Sequence, residues 1–311
     1  MVGLAAQTQS SKRDEQAPAQ DLFKFRPYPA DTTRMVGIPM LKVAQDLYAY
    51  RELMLTLAWK NVIVRYKQSY MGLAWAVLKP LLLVLIFSIV KGFIGIETGD
   101  IPYPILTFAA LMPWILFQES ASQGVTSVVG NSALIRKIYF PREIFPITAT
   151  LTKLIELMIS FVILAGMMVY FQMMPSLHAL WLPVIILYTL LVALIISLVG
   201  SAINVYYRDI GVALPVLLQI MMYLSPVIYP LSLVQKRLLE DQAAGEWSEF
   251  FYFLYTLNPL AGIIDAFQRV LLKGLPPDFA AMWPGLLVTL ILLPISYKLF
   301  KAAETRFADV I

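Results

Sequence analysis

The stretch Leu134-Ile-Arg-Lys-Ile-Tyr-Phe-Pro-Arg-Glu-Ile-Phe-Pro146 joins two long apolar runs and carries three basic residues close to two prolines. Arg136, Lys137 and Arg142 would be costly to place in hydrocarbon, so this segment is expected at a membrane surface. Short connectors rich in Lys and Arg lie on the cytoplasmic side of a membrane. The stretch therefore predicts a cytoplasmic connector between two membrane spans.

The composition of the whole chain supports a membrane protein. Hydrophobic residues make up 59% and charged residues 14% of the 311 residues, whereas soluble domains have roughly 45–50% and roughly 25%. The net charge is +4, but Lys and Arg cluster beside apolar runs and form no aromatic-basic stripe, so we expect contact with membrane lipids and no nucleic acid. With no cysteine and one histidine, zinc, iron–sulfur and disulfide chemistry are excluded.

Six apolar stretches are each long enough, at about 20 residues, to cross the hydrocarbon core of a membrane. They are residues 73–96, 103–129, 145–171, 180–205, 212–229 and 282–300. Alternate connectors are basic, whereas the first connector on the other side carries Glu97 and Asp100. This asymmetry predicts an all-α integral membrane protein with six spans and both termini in the cytoplasm.

The N-terminal region differs from the rest. Residues 1–45 are polar and lack the core of a signal peptide, so they predict a cytosolic tail. Residues 46–70 predict an amphipathic helix that precedes a transmembrane domain over residues 71–307. Its apolar positions recur at helical spacing: Leu47, Tyr50, Leu53, Met54, Leu57 and Ala58. Such a helix lies in the cytoplasmic interface or packs on a partner protein, and the pattern allows both.

The long external segment before the last span holds a second apolar run, residues 250–272, that is broken at Asn258-Pro259. Counting this run as a span would place the C-terminal basic residues Lys298, Lys301 and Arg306 on the outer side of the membrane, against the charge asymmetry of the other connectors. We therefore predict two short helices within residues 231–273 that enter the outer leaflet and return, forming an external gate. Their apolar residues, Phe250, Phe251, Phe253, Leu254, Ile263, Ile264 and Phe267, are expected against lipid, and Asp265, Arg269 and Lys273 in water. A seventh span is the alternative.

Among the ionisable residues of the predicted spans, Lys79, Lys153 and Glu156 are candidates for a role in transport. Lys153 and Glu156 are spaced i, i+3 and can neutralise one another; they form a structural pair, extend toward the interface, or line a polar channel wall. Lys79 precedes Pro80, which should kink the first span. Its ammonium group either extends to the cytosol or faces a pyrophosphate-bearing substrate.

Several short motifs resemble the membrane subunit of ABC-2 type exporters that move lipid-linked polysaccharides. They are Trp59-Lys60, Arg65-Tyr66-Lys67, Ser69, Leu73 to Pro80, Lys137 with Phe140-Pro141-Arg142-Glu143, Tyr207-Arg208-Asp209, and Asn258-Pro259. The resemblance covers residues 53–307. It implies a homodimer with six spans per subunit, a separate cytosolic ATPase, a coupling helix between spans two and three, and paired re-entrant helices before span six.

This resemblance assigns roles to individual residues. The ATPase-coupling residues, in a helix over residues 134–144, are Arg136, Lys137, Tyr139, Phe140, Pro141, Arg142 and Glu143. The cytoplasmic interface residues are Trp59, Lys60, Arg65, Tyr66, Lys67, Lys79, Arg208 and Asp209. The external gate residues are Phe251, Tyr252, Tyr255, Asn258, Pro259, Asp265 and Arg269.

Aromatic rings in the spans are candidates for holding a glycan, because sugar rings offer apolar C–H faces. These channel aromatics are Trp114, Phe117, Tyr188, Tyr223 and Tyr229. Membrane proteins also enrich Trp and Tyr at both interfaces, so packing or an interfacial position is the favoured explanation for any single ring.

The chain lacks a Gly-x-x-x-x-Gly-Lys-Ser/Thr phosphate loop, so ATP and Mg²⁺ are expected on a partner ATPase and no cofactor on this chain. The predicted function is a permease, not an enzyme, that exports a lipid-linked polysaccharide (O antigen, capsule or teichoic acid) across the bacterial cytoplasmic membrane. The alternatives are an integral-membrane enzyme acting on a lipid-linked glycan, although no convergent acid, base or metal set is evident, and a proton-driven flippase. The pattern does not identify the glycan.

Overall fold

A computed structural model describes residues 45, 48–67, 74–95, 101–136 and 141–310, which are mostly helical and include no β-strand. The helices are α1 Arg51–Lys67, α2 Ala74–Ile94, α3 Tyr103–Gly130, α4 Ser132–Ile135, α5 Ile144–Tyr170, α6 Leu182–Tyr206, α7 Asp209–Leu224, α8 Leu231–Gln235, α9 Ser248–Thr256, α10 Pro259–Gln268, α11 Phe279–Glu304 and α12 Phe307–Val310. Single 3₁₀ or π turns join some of them.

Among the described residues, four helical segments are long and apolar enough to cross a membrane: Ala74–Phe93, Ile144–Tyr170, Leu177–Tyr206 and Phe279–Glu304. A fifth is added if the pair Gly245–Thr256 and Pro259–Lys273, bent by 80°, is one span. The all-helical, multi-pass membrane fold that the sequence predicts is therefore confirmed. Helices α3 and α7 correspond to the other two predicted spans, and the total of six stays a prediction.

Helix α3 lies at the centre of the subunit. Ile105, Phe108 and Trp114 on this helix are completely buried, and α5, α6, α7 and α10 all pack against it. Because its neighbours shield it from lipid, α3 can carry polar residues such as Gln118 and Glu119 in the middle of its length. It is thus the least lipid-exposed of the long helices.

Small residues bring α3 and α6 close together. A side-chain carbon added at Gly124 would lie 2.1 Å from the hydroxyl oxygen of Ser197, and one added at Gly200 would lie 2.4 Å from a methyl group of Val125. Small residues at a helix contact let the two backbones approach closely, which increases van der Waals contact where no hydrophobic force acts between helices in lipid. These two glycines therefore set the separation of the central helix pair.

Helix α1 packs on the subunit through the face that its spacing predicts. Leu57 is buried, and Tyr50, Leu53 and Met54 lie around it in an apolar cluster with residues of α5 and α11. The opposite side is not uniformly polar, since Leu55, Trp59 and Val64 are more than half exposed. The predicted apolar face therefore covers the chain's own helices, and the exposed second stripe is available to lipid or a partner.

Two predicted segments differ in detail from the structure. A continuous coupling helix over residues 134–144 does not form in the described part, because α4 ends at Ile135, residues 141–143 form a turn, and α5 begins at Ile144. The fifth predicted span, residues 212–229, is shifted to Asp209–Leu224, and the chain turns at residues 225–230. Pro226 therefore follows the helix, and the proline inside it is Pro215.

Candidate functional site

A cavity of about 460 Å³ lies between α2, α3, α5 and α7. Its walls combine apolar residues with charged and amide side chains, which is unusual within a membrane-spanning bundle. The polar and aromatic residues that line it are Trp75, Lys79, Gln118, Glu119, Lys153, Glu156, Ser160 and Gln219. We call it the inter-helix cavity.

Four charged side chains of the inter-helix cavity form one chain of ion pairs. The Lys79 ammonium lies 2.6 Å from one carboxylate oxygen of Glu119, and the Lys153 ammonium lies 3.5 Å from the other. Lys153 also lies 2.9 Å from Glu156. Lysine and glutamate thus alternate across α2, α3 and α5, and two positive charges balance two negative ones.

The sequence analysis identified part of this chain and missed one member. Lys153 and Glu156 form the predicted pair, and Lys79 faces the cavity with 48% of its side chain exposed. Glu119 bridges the two lysines, but it was not singled out from the sequence. The available signal was a carboxylate in the second predicted span, where an ionisable residue is a functional candidate by default.

The ion-pair chain lies well inside the bundle. At about 1.5 Å per residue, Glu119 is roughly 16 Å from the end of α3 at Gly130, and Lys153 is roughly 14 Å from the start of α5 at Ile144. Both helix ends lie close in sequence to the basic connector, which is the segment of residues 134–146. Glu119 and Lys153 therefore lie nearer the middle of their helices than the ends. An unpaired charge at such a depth in a membrane would be strongly disfavoured.

A second charged cluster ties the basic connector to α11. Glu143 is 3% exposed, accepts a hydrogen bond from the Tyr297 hydroxyl at 3.2 Å and lies 2.7 Å from the Lys301 ammonium. Lys301 also lies 2.8 Å from Glu304. Arg142 donates from its backbone N–H to a Glu304 carboxylate oxygen at 3.1 Å and from its guanidinium to the Glu304 carbonyl. We call these residues the connector anchor.

Burial has the largest effect on the pKa of the Glu143 carboxyl, and neighbouring charges modify it. Loss of water raises the pKa of the Glu143 carboxyl, and the nearby Glu304 raises it further. The Lys301 ammonium opposes both effects by attraction and by a hydrogen bond. Glu143 therefore depends on Lys301 to remain a stable buried anion.

The predicted coupling residues differ in their exposure. Arg136 is exposed, whereas Pro141 and Glu143 are buried. Glu143 consequently holds the connector on α11 and has little surface to offer another protein. Lys137, Tyr139 and Phe140 lie outside the described residues.

The predicted cytoplasmic interface residues are distributed over α1, α2 and the start of α7. Trp59 and Lys60 are exposed on α1, and Arg208 and Asp209 are exposed at the start of α7, whereas Lys79 faces the inter-helix cavity. The side chains of Arg65, Tyr66 and Lys67 lie outside the described residues, although their backbone completes α1.

The five channel aromatics separate into two groups. Trp114, Phe117 and Tyr188 are at most 6% exposed in the core of the subunit, so within one subunit they pack helices and do not line an open conduit. Tyr223 is 52% exposed on α7, and Tyr229 is half-buried. Only the second group is placed to meet a substrate directly.

The break in the external segment has the predicted cause. The Asn258 side chain accepts a hydrogen bond from the Leu260 N–H at 3.1 Å and caps α10, with Pro259 in its first turn. Asn258 also donates to the Ser225 hydroxyl at 3.0 Å. This residue therefore starts one helix and ties it to the turn after α7. The Tyr255 and Tyr229 hydroxyls are 3.5 Å apart nearby.

The two helices of the bent pair have different surroundings. On α9, Phe250, Phe251, Phe253 and Leu254 are exposed, as expected for a lipid-facing helix, and Tyr252 is half-buried. On α10 the expectation was wrong, because the apolar residues and one acid are buried between α3, α6 and α11. The buried α10 residues are Ile263, Ile264, Asp265 and Phe267.

Asp265 on α10 and Arg269 in the turn after it pair with protein groups, although water was expected. The Arg269 guanidinium lies 3.2 Å from Asp278 and 3.9 Å from Asp265, and its Nε donates to the Pro276 carbonyl at 3.1 Å. Arg269 therefore joins the end of the bent pair to the start of α11. Burial of broken backbone within protein is the condition under which a membrane tolerates it.

Comparison with known proteins identifies the family. The family model for the ABC-2 type transporter matches residues 52–272, more than two thirds of the chain. The chain belongs to the ABC-2 type transporter family. The matched region contains the inter-helix cavity, the basic connector and the bent pair, and it ends before α11.

Relatives of this ABC-2 transporter cover most of its length. It is 27% identical to the O-antigen export system permease protein RfbA of Myxococcus xanthus, over 88% of this chain and 100% of the relative. It is 25% identical to the O-antigen export system permease protein RfbA of Klebsiella pneumoniae, over 87% of this chain and 99% of the relative. It is 22% identical to the Polysialic acid transport protein KpsM of Escherichia coli, over 79% of this chain and 91% of the relative.

The ABC-2 transporter shows no metal site in the part of the chain that the structure describes. No group of three or more His, Asp or Glu side chains there is arranged to hold an ion. The described residues therefore offer the chemistry of ion pairs, amides and aromatic rings around a cavity.

Proposed function

We propose that this ABC-2 transporter is the membrane subunit of an ATP-driven exporter that carries a lipid-linked polysaccharide across the bacterial cytoplasmic membrane. The observation that carries the proposal is the near-complete coverage of relatives named for O-antigen export. O antigen is the first candidate, and a capsular or teichoic-acid polymer is the second. ATP and Mg²⁺ bind a separate cytosolic ATPase.

The proposed topology has six spans with both termini in the cytoplasm. Helices α2, α3, α5, α6, α7 and α11 form the spans, and α9 and α10 form a re-entrant pair on the outer side. The length of α3 supports this count, since 28 residues exceed the ~20 that a membrane requires. At 16 residues, α7 is short for a full span, but the turn after it buries Ser225 and Val227 and extends the path through protein.

The proposed assembly is a homodimer with the conduit between the two subunits. Helices α2 and α7 expose rows of large apolar side chains, among them Leu85, Ile89 and Phe93 on α2 and Val212 and Val216 on α7. Both helices also border the inter-helix cavity. A conduit bounded by them would place that cavity beside the path of the substrate.

The connector from Arg136 to Arg142 is the proposed contact for the ATPase. Its basic residues lie where two helices meet, and the connector anchor joins it to α11 through Glu143 and Arg142. A push on the connector would therefore reach α5 and α11 together. At the outer side, α9 and α10 with the turn at Asn258 form the proposed gate.

Reconstitution tests the function. The chain and its cytosolic ATPase are placed in sealed vesicles with a lipid-linked polysaccharide, and movement of the glycan to the opposite leaflet is measured with an impermeant glycosidase. We expect movement only with ATP and both proteins. Movement without the ATPase that stops when a proton gradient is collapsed would indicate a flippase instead. Cleavage or transfer of the glycan by this chain alone would indicate an enzyme.

A further inference from the structure

The inter-helix cavity combines the side chains that proteins use to bind sugars. Amide and carboxylate groups that accept and donate hydrogen bonds stand beside an indole ring that can cover a C–H face. The six residues that carry this chemistry are Trp75, Lys79, Gln118, Glu119, Glu156 and Gln219. The volume of about 460 Å³ lies within the ~300–1,000 Å³ of ordinary ligand pockets.

The charge balance of the cavity favours a neutral ligand over an anion. Lys79 and Lys153 are both paired with Glu119, and Lys153 is also paired with Glu156. A phosphate approaching Lys79 would meet the Glu119 carboxylate at 2.6 Å from the same ammonium group. Hydroxyl groups suffer no such repulsion, because an ammonium donates three hydrogen bonds and a carboxylate accepts several, so paired groups can still bind a sugar hydroxyl.

The protein orients one amide of the cavity. The Trp114 indole N–H donates to the Gln118 carbonyl oxygen at 3.1 Å. An indole N–H can only donate, so the amide oxygen must lie on that side and the NH₂ group on the other. The buried Trp114 therefore acts as a positioning residue for Gln118. A preoriented donor in a largely apolar cavity with a few polar groups is a feature of ligand sites.

We infer that the inter-helix cavity is a subsite for an uncharged, hydroxyl-bearing sugar unit of the transported glycan. The inference rests on the proposed function and adds the place and the chemistry of recognition. Trp75, which is 52% exposed, covers one face of the sugar ring, and Gln118 and Gln219 bind hydroxyls from α3 and α7. The ion-pair chain supplies further donors and acceptors without net charge.

Photo-cross-linking in the assembled exporter tests the placement. A photoreactive p-benzoylphenylalanine replaces Trp75 or Gln219 in cells that make the polysaccharide, and captured glycan is detected with a lectin or antibody after denaturation. We expect capture at both positions and none at Leu187, which is 56% exposed on α6 and outside the cavity. Continued export with no capture at positions 75 and 219, or equal capture at 187, would overturn the inference.

Reconstituted transport gives a second readout. Trp75→Leu and Gln219→Leu remove ligand contacts but leave every ion pair intact, so folding is not threatened by an unpaired charge. We expect each to raise the half-saturating concentration of lipid-linked polysaccharide by about three- to tenfold, the loss of one contact. The matched control Leu187→Ala should leave it unchanged. Unaltered half-saturation in both cavity variants would contradict the assignment.

The same vesicles distinguish sugar from phosphate recognition. With the photoreactive group at position 75, glycan-free lipid pyrophosphate carrying a radiolabel is offered in place of the full substrate. Labelling of the protein by this probe would show that the cavity holds the anionic head, and the sugar assignment would fail. If wild-type protein moves no polysaccharide at all, the proposed function fails instead.

Discussion

Lys153 is the most completely buried charge of the described residues, at 1% exposure between Glu119 and Glu156. Replacing it with methionine keeps the volume but removes an ammonium group that pairs with both carboxylates. Breaking a buried ion pair from one side costs about 3–5 kcal/mol, because the remaining charge is uncompensated. We therefore expect Lys153→Met to lower the free energy of unfolding strongly, measured by thermal unfolding in detergent.

Lys79→Met is the matched control. It removes the same group from the same chain of pairs, but Glu119 retains Lys153 and the Lys79 side chain is 48% exposed. The loss should be about 1 kcal/mol or less. Equal losses for the two variants would contradict this view of the ion-pair chain. Adding Glu156→Gln to Lys153→Met should restore part of the lost stability.

The connector anchor gives a second prediction at the level of residues. Glu143→Leu should lower the free energy of unfolding by about 1–3 kcal/mol, since Tyr297 loses its acceptor and Lys301 loses one of two carboxylates. The transport rate should fall by more than the loss of stability alone explains, because the connector is released from α11. Both are measured on the purified exporter, unfolding by heat and transport in vesicles.

The Arg237–Asp241 pair supplies the control for that experiment. These side chains are 70% and 40% exposed and 3.3 Å apart. Arg237→Gln should change stability by about 0.5 kcal/mol at most, because exposed pairs are screened by water. If Glu143→Leu behaves like Arg237→Gln in both assays, the connector is not anchored through α11.

At the level of elements, the contact between α10 and α11 depends on two glycines. A side-chain carbon at Gly285 would lie 2.6 Å from the Cα atom of Pro259, and one at Gly262 would lie 2.9 Å from that of Met282. Backbone atoms cannot move aside as a side chain does. We expect Gly285→Ala to cost about 1–3 kcal/mol of stability through overpacking, measured by thermal unfolding.

Gly166→Ala is the comparison, because nothing lies within 4 Å of a side-chain carbon at that position in α5. This substitution should be neutral or stabilising by about 0.5–1 kcal/mol, since alanine loses less backbone entropy in a helix. A similar loss at both glycines would mean that helix propensity, and not the contact of α10 with α11, determines the effect.

The bent pair allows a direct test of topology. Cysteines at Ala243 and Leu275, exposed positions on either side of the pair, can be introduced singly because the chain has no cysteine. Both avoid the neighbouring glycines Gly245 and Gly274, whose positive φ disfavours other residues. In a re-entrant pair, an impermeant thiol reagent labels both from outside the cell. Labelling of Leu275→Cys from the cytoplasm alone would make the pair a span.

The elements could be predicted from the sequence because apolar runs and breaks are local signals. Asn258-Pro259 predicted the start of α10, and the residues around Leu57 predicted the packed face of α1. The residues that each side chain contacts in the fold could not be predicted in the same way. Glu119 meets Lys79 across 40 positions, and Ile263 is equally apolar whether it faces lipid or a buried helix. In a membrane, hydrophobicity no longer separates core from surface.

For the whole molecule, the proposed dimer predicts contacts through α2 and α7. Single cysteines at Ile89 on α2 and Val216 on α7, both more than half exposed, should form disulfide-linked dimers on mild oxidation in membranes. Cysteine at Val162, 74% exposed on α5, is the control and should not link. Efficient linking only at Val162 would place the interface elsewhere, and an active, ATPase-bound exporter that contains one copy would rule the dimer out.

The alternating ion pairs also constrain how the chain enters the membrane during synthesis. Lys79, Glu119 and Lys153 lie on three helices that emerge one after another from the ribosome. A charge near a helix centre opposes release into lipid by about 2.5–3.5 kcal/mol. The charges of Lys79 and Glu119 cancel once α2 and α3 are both made, and α5 brings its own balanced pair, Lys153 and Glu156. We therefore expect α3 to wait beside the translocon with α2, so that Glu119 enters the lipid already paired with Lys79.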